Sequence, residues 1–215
     1  MYKGVYIGKN INDQSKKILV LGESHYSSDG NGDFTTKSVI KNMKNHPTEK
    51  KYQFFHKIAK SCGVECNSID DEFNLFWDNV YFGNYIEDLC EIGTSTAKDF
   101  VSQNKETYND SLFKFIKNNK IDIVLVFSRL TYKNLPSFSN QFNLKENLDN
   151  FDDGTLRVSD RRDWINHCVY LPNTEHQYTT IQLEKEVHFY GMRHPSARCG
   201  FDCKNYARFL KTLFF

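Results

Sequence analysis

An α/β fold built on a parallel sheet is what this sequence predicts, and three observations predict it. Short apolar runs of strand length end in glycine or polar residues, segments with helical spacing fall between them, and the helix-then-strand order occurs twice. Length and composition agree. A chain of 215 residues can bury a sizeable core in one domain, and 18 Phe with 12 Tyr predict that this core is rich in aromatic rings. The net charge of +1 excludes a globally basic nucleic-acid binder while leaving a local basic face open. No apolar run approaches a membrane span and the N-terminus carries no signal-peptide pattern, so a cytoplasmic chain with no membrane partner is expected.

Taken in order, residues 1–8 supply an edge strand or lead-in. Ile18 to Leu21 is apolar throughout and reads as a strand buried on both faces. Ser27 to Thr36 is a polar, glycine-rich loop with Phe34 in its middle. Thr48 is positioned to cap a helix in which Tyr52, Phe55, Ile58, Ala59 and Cys62 share one face. A second strand covers Asn79 to Gly83 and opens into Asn84, with a helix expected over Ile86 to Ile92. Thr94 to Asn109 is polar and weakly patterned. Asp110 then caps a helix carrying Leu112, Phe113 and Ile116, which leads into the strand Ile121 to Phe127 and ends at Ser128-Arg129.

Residues 134–182 break the rhythm. They hold two of the four prolines, the Asp152-Asp153-Gly154 turn and a charged run from Arg157 to Asp163, in which Arg157, Arg161 and Arg162 alternate with Asp160 and Asp163 as on a solvated face. This stretch reads as an insertion or elaborated loop region within a single domain over 1–215, anchored by Trp164. The alternation resumes with the strand Val187 to Gly191. Asp202 then caps a last helix striped by Tyr206, Phe209, Leu210 and Leu213.

Six cysteines include two Cys-x3-Cys pairs, Cys62 with Cys66 and Cys199 with Cys203. Zinc or an iron–sulfur cluster would use such residues, but reduced thiols in a cytoplasmic protein are the simpler expectation, and no metal is assigned.

The stretch that concentrates chemistry is Gly22-Glu23-Ser24-His25-Tyr26, delivered by the first buried strand. In an open parallel sheet, ligands bind where loops leave the carboxyl ends of strands. A carboxylate and an imidazole there suffice for acid/base work.

Together with this loop, two further motifs make a pattern. His194-Pro195-Ser196 follows the last strand and precedes Gly200-Phe201 and a helix, and Val80-Tyr81-Phe82-Gly83-Asn84 is a strand ending in an amide. In that order the three motifs resemble the signatures of the uracil-DNA glycosylase superfamily. The first is similar to the Gly-Glu-Ala-Pro-Gly version of its iron–sulfur branch, with Glu23 at the glutamate. The resemblance implies a three-layer αβα fold around a central, mostly parallel four-stranded sheet, with the histidine of the last motif facing the excised base and Asn84 reading it. Phe34 falls near the family's base-stacking phenylalanine. His25 stands where the family has proline, Ser24 replaces the aspartate of its best-known branch, and the cluster spacing of the iron–sulfur branch is absent, so no cofactor is carried over. The altered base-pocket loop and the insertion point to a modified base rather than uracil. One precedent is antiviral defence, in which glycosylases excise hypermodified phage bases such as glucosylated hydroxymethylcytosine.

Cleaving an N-glycosidic bond builds positive charge on the sugar and negative charge on the departing base. Glu23 suits the first and His194 the second, as the catalytic pair. Asn84 carries a donor and an acceptor on one amide and can read the pairing edge of a flipped base, on which Phe34 or Tyr26 can stack. Gly22, Ser24 and His25 complete the substrate loop, while Arg193, Ser196 and Arg198 can grip DNA phosphates. DNA is the implied partner, and no obligate protein partner is evident. Three simpler roles compete: a surface carboxylate for Glu23, a turn support for His194, and a helix N-cap for Asn84. Two other functions compete as well, a relative that binds DNA or nucleotides without excision and an esterase-like hydrolase using Glu23 and His25.

Overall fold

The buried strand Ile18–Gly22 forms the middle of the sheet, because its side chains are apolar on both faces and both of its edges are paired in parallel. A computed structural model describes residues 4–27, 36–45, 49–65, 71–91, 96–138, 146–147, 164–197 and 200–214. In chain order the strands are β1 (Tyr6–Ile7), β2 (Ile18–Gly22), β3 (His25–Ser27), β4 (Tyr81–Asn84), β5 (Leu89–Glu91), β6 (Ile123–Val126), β7 (Ser137–Phe138), β8 (Glu146–Asn147), β9 (Ile165–Tyr170), β10 (His176–Gln177) and β11 (Val187–Met192). The helices are α1 (Thr36–Asn45), α2 (Gln53–Ser61), α3 (Asp71–Asp78), α4 (Ala97–Asn119), α5 (Arg129–Asn134) and α6 (Cys203–Phe214).

The sheet is mixed, in the order β1-β4-β2-β6-β11-β9 with the two-residue β8 on its edge. This corrects the expectation of a four-stranded, mostly parallel sheet. The four expected strands are its parallel block, β4-β2-β6-β11, but β1 adds antiparallel to β4 and β9 adds antiparallel to β11. Strand β9 lies within the stretch read as an insertion. Asn166 and His167 interrupt its apolar pattern, so only pairing with β11 reveals it.

Successive strand residues feed two cores. Leu19, Leu21, Val124, Val126 and Phe189 pack with Leu112, Phe113 and Ile116 of α4. Ile18, Val20, Phe82, Leu125 and Tyr190 pack with Ile40 of α1, Phe55 and Ile58 of α2, Trp77 of α3 and Tyr206 of α6. Aromatic residues dominate the second core. Phe55, Trp77 and Phe82 meet edge to face with centroids 5.3–5.6 Å apart, the arrangement ring quadrupoles favour. Asp78, only 4% exposed, ties this side together by accepting from Lys44 of α1, Lys9 and the Tyr6 hydroxyl.

Three helical expectations change. Residues 89–91 form β5, paired in parallel with β3, where the helix over 86–92 was expected. The amides of Tyr85 and Ile86 extend the sheet pairing instead, donating to the carbonyls of Gly22 and Glu23 at 3.1 and 2.9 Å. Asp110 is interior to α4, and its carboxylate accepts from the Thr179 hydroxyl and the Thr180 amide, both at 2.7 Å. The cap of α4 is Thr96, whose hydroxyl accepts from the Asp99 amide while the Asp99 carboxylate accepts from the Thr96 amide. Asp202 does accept from the Lys204 amide at the start of α6, as expected of a cap. Thr48 lies outside the described residues, as does the charged run 157–163. No described helix is long and apolar enough to cross a membrane.

Gly191 of β11 lies under the Tyr132 ring of α5, where a Cβ would come within 2.3 Å of ring carbons. Gly191→Ala is therefore expected to destabilise the protein by roughly 1–3 kcal/mol, read as a lower urea midpoint at unchanged slope.

Candidate active site

Each strand of the parallel block ends in a residue of the site. β2 delivers Glu23, β4 ends on Asn84, β6 is followed by Phe127 and Ser128, and β11 is followed by Arg193 and His194. The pairing sets these ends level, since Leu21 is opposite Gly83 on one side and Val126 on the other, and Gly22 is opposite Asn84. The chain order also reverses here. The connection from β2 to β4 passes through helices on one face, whereas that from β4 to β6 passes through α4 on the other. Such a switch point leaves a crevice at the carboxyl ends.

A cavity of about 580 Å³ occupies that position. Glu23, Ser24, His25, Asn84, His194 and Ser196 line it, together with an aromatic wall of Tyr52, Phe54, Phe55 and Phe82 and a rim of Val39, Asn42 and Lys51. Six of the residues expected at the site are thus brought to one place. Gly22 acts from behind it. A Cβ at Gly22 would lie 2.3 Å from Oδ1 of Asn84, so the missing side chain is what lets the amide sit against β2. Asn84 ends a strand and is 8% exposed, which removes its competing reading as the cap of a following helix.

Arg193, half-buried at the end of β11, is not among the residues lining the cavity. Phe34 and Arg198 lie outside the described residues, and so does the side chain of Tyr26. Cys66 and Cys199 do too. Of their expected partners, Cys62 is a buried thiol pushed well above the usual thiol range by burial, with Cys203 acting in the same direction.

Polar contacts fix the two catalytic candidates differently. Oε2 of Glu23 accepts from the Ser128 hydroxyl at 2.5 Å, and the Ser128 oxygen in turn accepts from the Thr131 amide at 3.1 Å. Ser128 is fully buried, and because an ionised carboxylate can only accept, the single hydroxyl proton of Ser128 is the one shared with Glu23. Nδ1 of His194 accepts from the Ser196 amide at 3.1 Å, which leaves Nε2–H as the donor of the neutral ring. Burial holds this imidazole below the ordinary histidine range. The Lys57 ammonium acts with burial, and the Glu23 carboxylate acts against it. His25 is also held down by burial, and its Nε2 shares a hydrogen bond with the Thr36 hydroxyl at 2.6 Å. The site therefore offers a carboxylate, a neutral imidazole and an amide around an aromatic-walled space. That set can stabilise a cation on one side and developing negative charge on the other.

Ser128 and the aromatic wall were not anticipated from sequence. Ser128 carried the same signal as Glu23 and Asn84, a polar residue immediately following a buried strand. Phe54 adjoins the apolar stripe of α2 without belonging to it, so only the packing shows its use. No protein-family model matches the chain, and no curated protein matches its sequence.

Two outcomes are expected. Gly22→Ala meets only the tip of a side chain, so stability should stay within about 1 kcal/mol while the Asn84 side-chain amide resonances move in a 1H–15N spectrum; unmoved resonances contradict the packing. His25, His176 and His194 are all held below their ordinary value of 6.5, so below that pH the unfolded chain binds protons that the folded one refuses. Stability should then fall as pH drops from about 7 to about 5, measured by urea midpoints, and His176→Phe should flatten that slope.

Proposed function

We propose that this protein is a DNA glycosylase, a divergent member of the uracil-DNA glycosylase superfamily with its αβα layering, which cleaves the N-glycosidic bond of a flipped-out base and leaves an abasic site. One observation carries this reading: Glu23, Asn84 and His194, from three motifs far apart in sequence, line one cavity at the carboxyl ends of parallel strands.

The chemistry follows from the side chains. As the bond from C1′ to the base nitrogen breaks, its electron pair leaves with the base and the sugar becomes cationic. The Glu23 carboxylate faces that charge and takes a proton from the water whose oxygen bonds to C1′. The Nε2–H of a neutral His194 donates to the carbonyl oxygen on which the base's negative charge collects. Asn84 reads the pairing edge, and Phe54, which lines the cavity with its ring against that of His194, supplies an aromatic surface. Rotating the target out of a duplex costs a few kcal/mol, which base–aromatic stacking of about 1–3 kcal/mol offsets in part.

The cavity leaves room for a base larger than uracil. About 580 Å³ falls within the roughly 300–1,000 Å³ typical of sites for drug-sized ligands, more than one pyrimidine ring fills. A hypermodified base, as in antiviral defence, fits this reading. The esterase alternative needs Glu23 and His25 to act as a pair. Their contacts run elsewhere, Glu23 to Ser128 and His25 to Thr36.

The test is abasic-site formation on DNA carrying uracil or modified bases. Glu23→Gln and His194→Ala are each expected to lower the excision rate by roughly 10²–10³-fold without unfolding the protein. DNA binding with no excision of any base would favour the non-catalytic reading, and ester turnover that survives His194→Ala would favour the hydrolase.

A further inference from the structure

Helix α2 walls the cavity with one part of its surface, and a neighbouring part holds the turn that carries His194. Phe55, Ile58 and Ala59 enter the core. Phe54 and Lys57 are half-buried, three residues apart and therefore neighbours on the helix surface. The Phe54 ring lies against the His194 ring with centroids 5.1 Å apart and a 34° tilt. One turn further on, Lys57 Nζ donates to the Pro195 carbonyl oxygen at 2.8 Å, across 138 positions of sequence. Inside the turn, the Ser196 amide donates to Nδ1 of His194.

We propose that Lys57 is a positioning residue. By binding the Pro195 carbonyl it clamps the His194–Pro195–Ser196 turn to α2, so that the Ser196 amide stays on Nδ1 and Nε2–H is the donor left for the departing base. The proposal rests on the glycosylase reading for what His194 does, and on these contacts alone for how it is held.

Lysine suits the task for two reasons. A charged donor makes a stronger hydrogen bond to a carbonyl than a neutral one does. Its charge also bears on the imidazole it positions. A carboxylate next to a histidine ordinarily draws it toward the imidazolium form, and Glu23 pulls in that direction; burial and the Lys57 ammonium oppose it. The other titratable groups lining the cavity are His25, Lys51 and Tyr52, and Lys51 is paired with Glu49. An imidazolium would hold a proton on both nitrogens and break the bond from the Ser196 amide, so the clamp and the neutral ring support each other.

The experiment is 1H–15N correlation of the histidine ring nitrogens through a pH titration of the full chain without DNA, in the wild type and in Lys57→Arg, Lys57→Gln and Lys57→Met. In the wild type, His194 should show the Nε2–H form. Lys57→Met should shift its titration midpoint upward and mix the two neutral forms. Lys57→Gln, which keeps a donor without the charge, should shift the midpoint but retain Nε2–H, and Lys57→Arg should retain both. Ring signals and midpoint identical in wild type and Lys57→Met overturn the proposal. If Lys57→Met does not fold, Lys57→Ala, which also removes both donor and charge, decides in the same way. On a DNA substrate that the wild type cleaves, Lys57→Met should lower kcat roughly tenfold with KM little changed, and an unchanged kcat counts against the clamp. A wild type that cleaves no base counts against the glycosylase reading, and the ring-nitrogen data then judge Lys57 by themselves.

Discussion

The parallel register of β2 with β4 and β6 is the constraint on which the site depends. Slipping that pairing by one residue would exchange the two faces of the strand, moving Leu19 and Leu21 out of one core and Ile18 and Val20 out of the other. Because both faces are buried in aromatic and aliphatic side chains, the register is fixed strongly, and the strand ends are fixed with it. The strand ends that carry Glu23, Asn84 and Ser128 stay level because the strands beneath them cannot slide.

Around those ends, each polar group has its protonation or orientation set by one neighbour. Ser128 donates its proton to the Glu23 carboxylate, which can only accept, and its oxygen accepts from the Thr131 amide. Asn84 is held close to β2 by the missing side chain of Gly22. His194 is kept neutral by burial and its tautomer by the Ser196 amide. A carboxylate and a neutral histidine on one cavity give one group for positive charge and one for negative, the division that breaking a bond to a departing base requires. Fold alone would not imply the proposed activity; the proposal rests on the site.

Helix α2 shows how one element can serve both the core and the site. The residues that made it recognisable, Tyr52, Phe55, Ile58, Ala59 and Cys62, are buried. Those that bear on the site are Phe54 and Lys57, whose spacing is unremarkable in a sequence and whose partners lie at the far end of the chain.

By itself the sequence determined the parallel block, the helices α2 and α6, and the candidates Glu23, Asn84 and His194. These are signals of short range: an apolar run, a helical stripe, and a polar residue where a strand stops. Tertiary structure decided that residues 1–8 supply an edge strand, β1, rather than a lead-in, and it decided the antiparallel strand β9, the strand β5 in place of a helix, and the start of α4 at Thr96. It also decided that Asp110 serves Thr179 and Thr180 rather than a helix end. Except at Thr96, whose partner Asp99 is three residues on, the deciding partner lies tens of residues away, or the local pattern is too polar to speak, as at Asn166 and His167 of β9. Strand pairing and side-chain capture satisfy backbone and carboxylate groups that local propensity would have satisfied otherwise, and one chain segment carries no record of which partner reaches it.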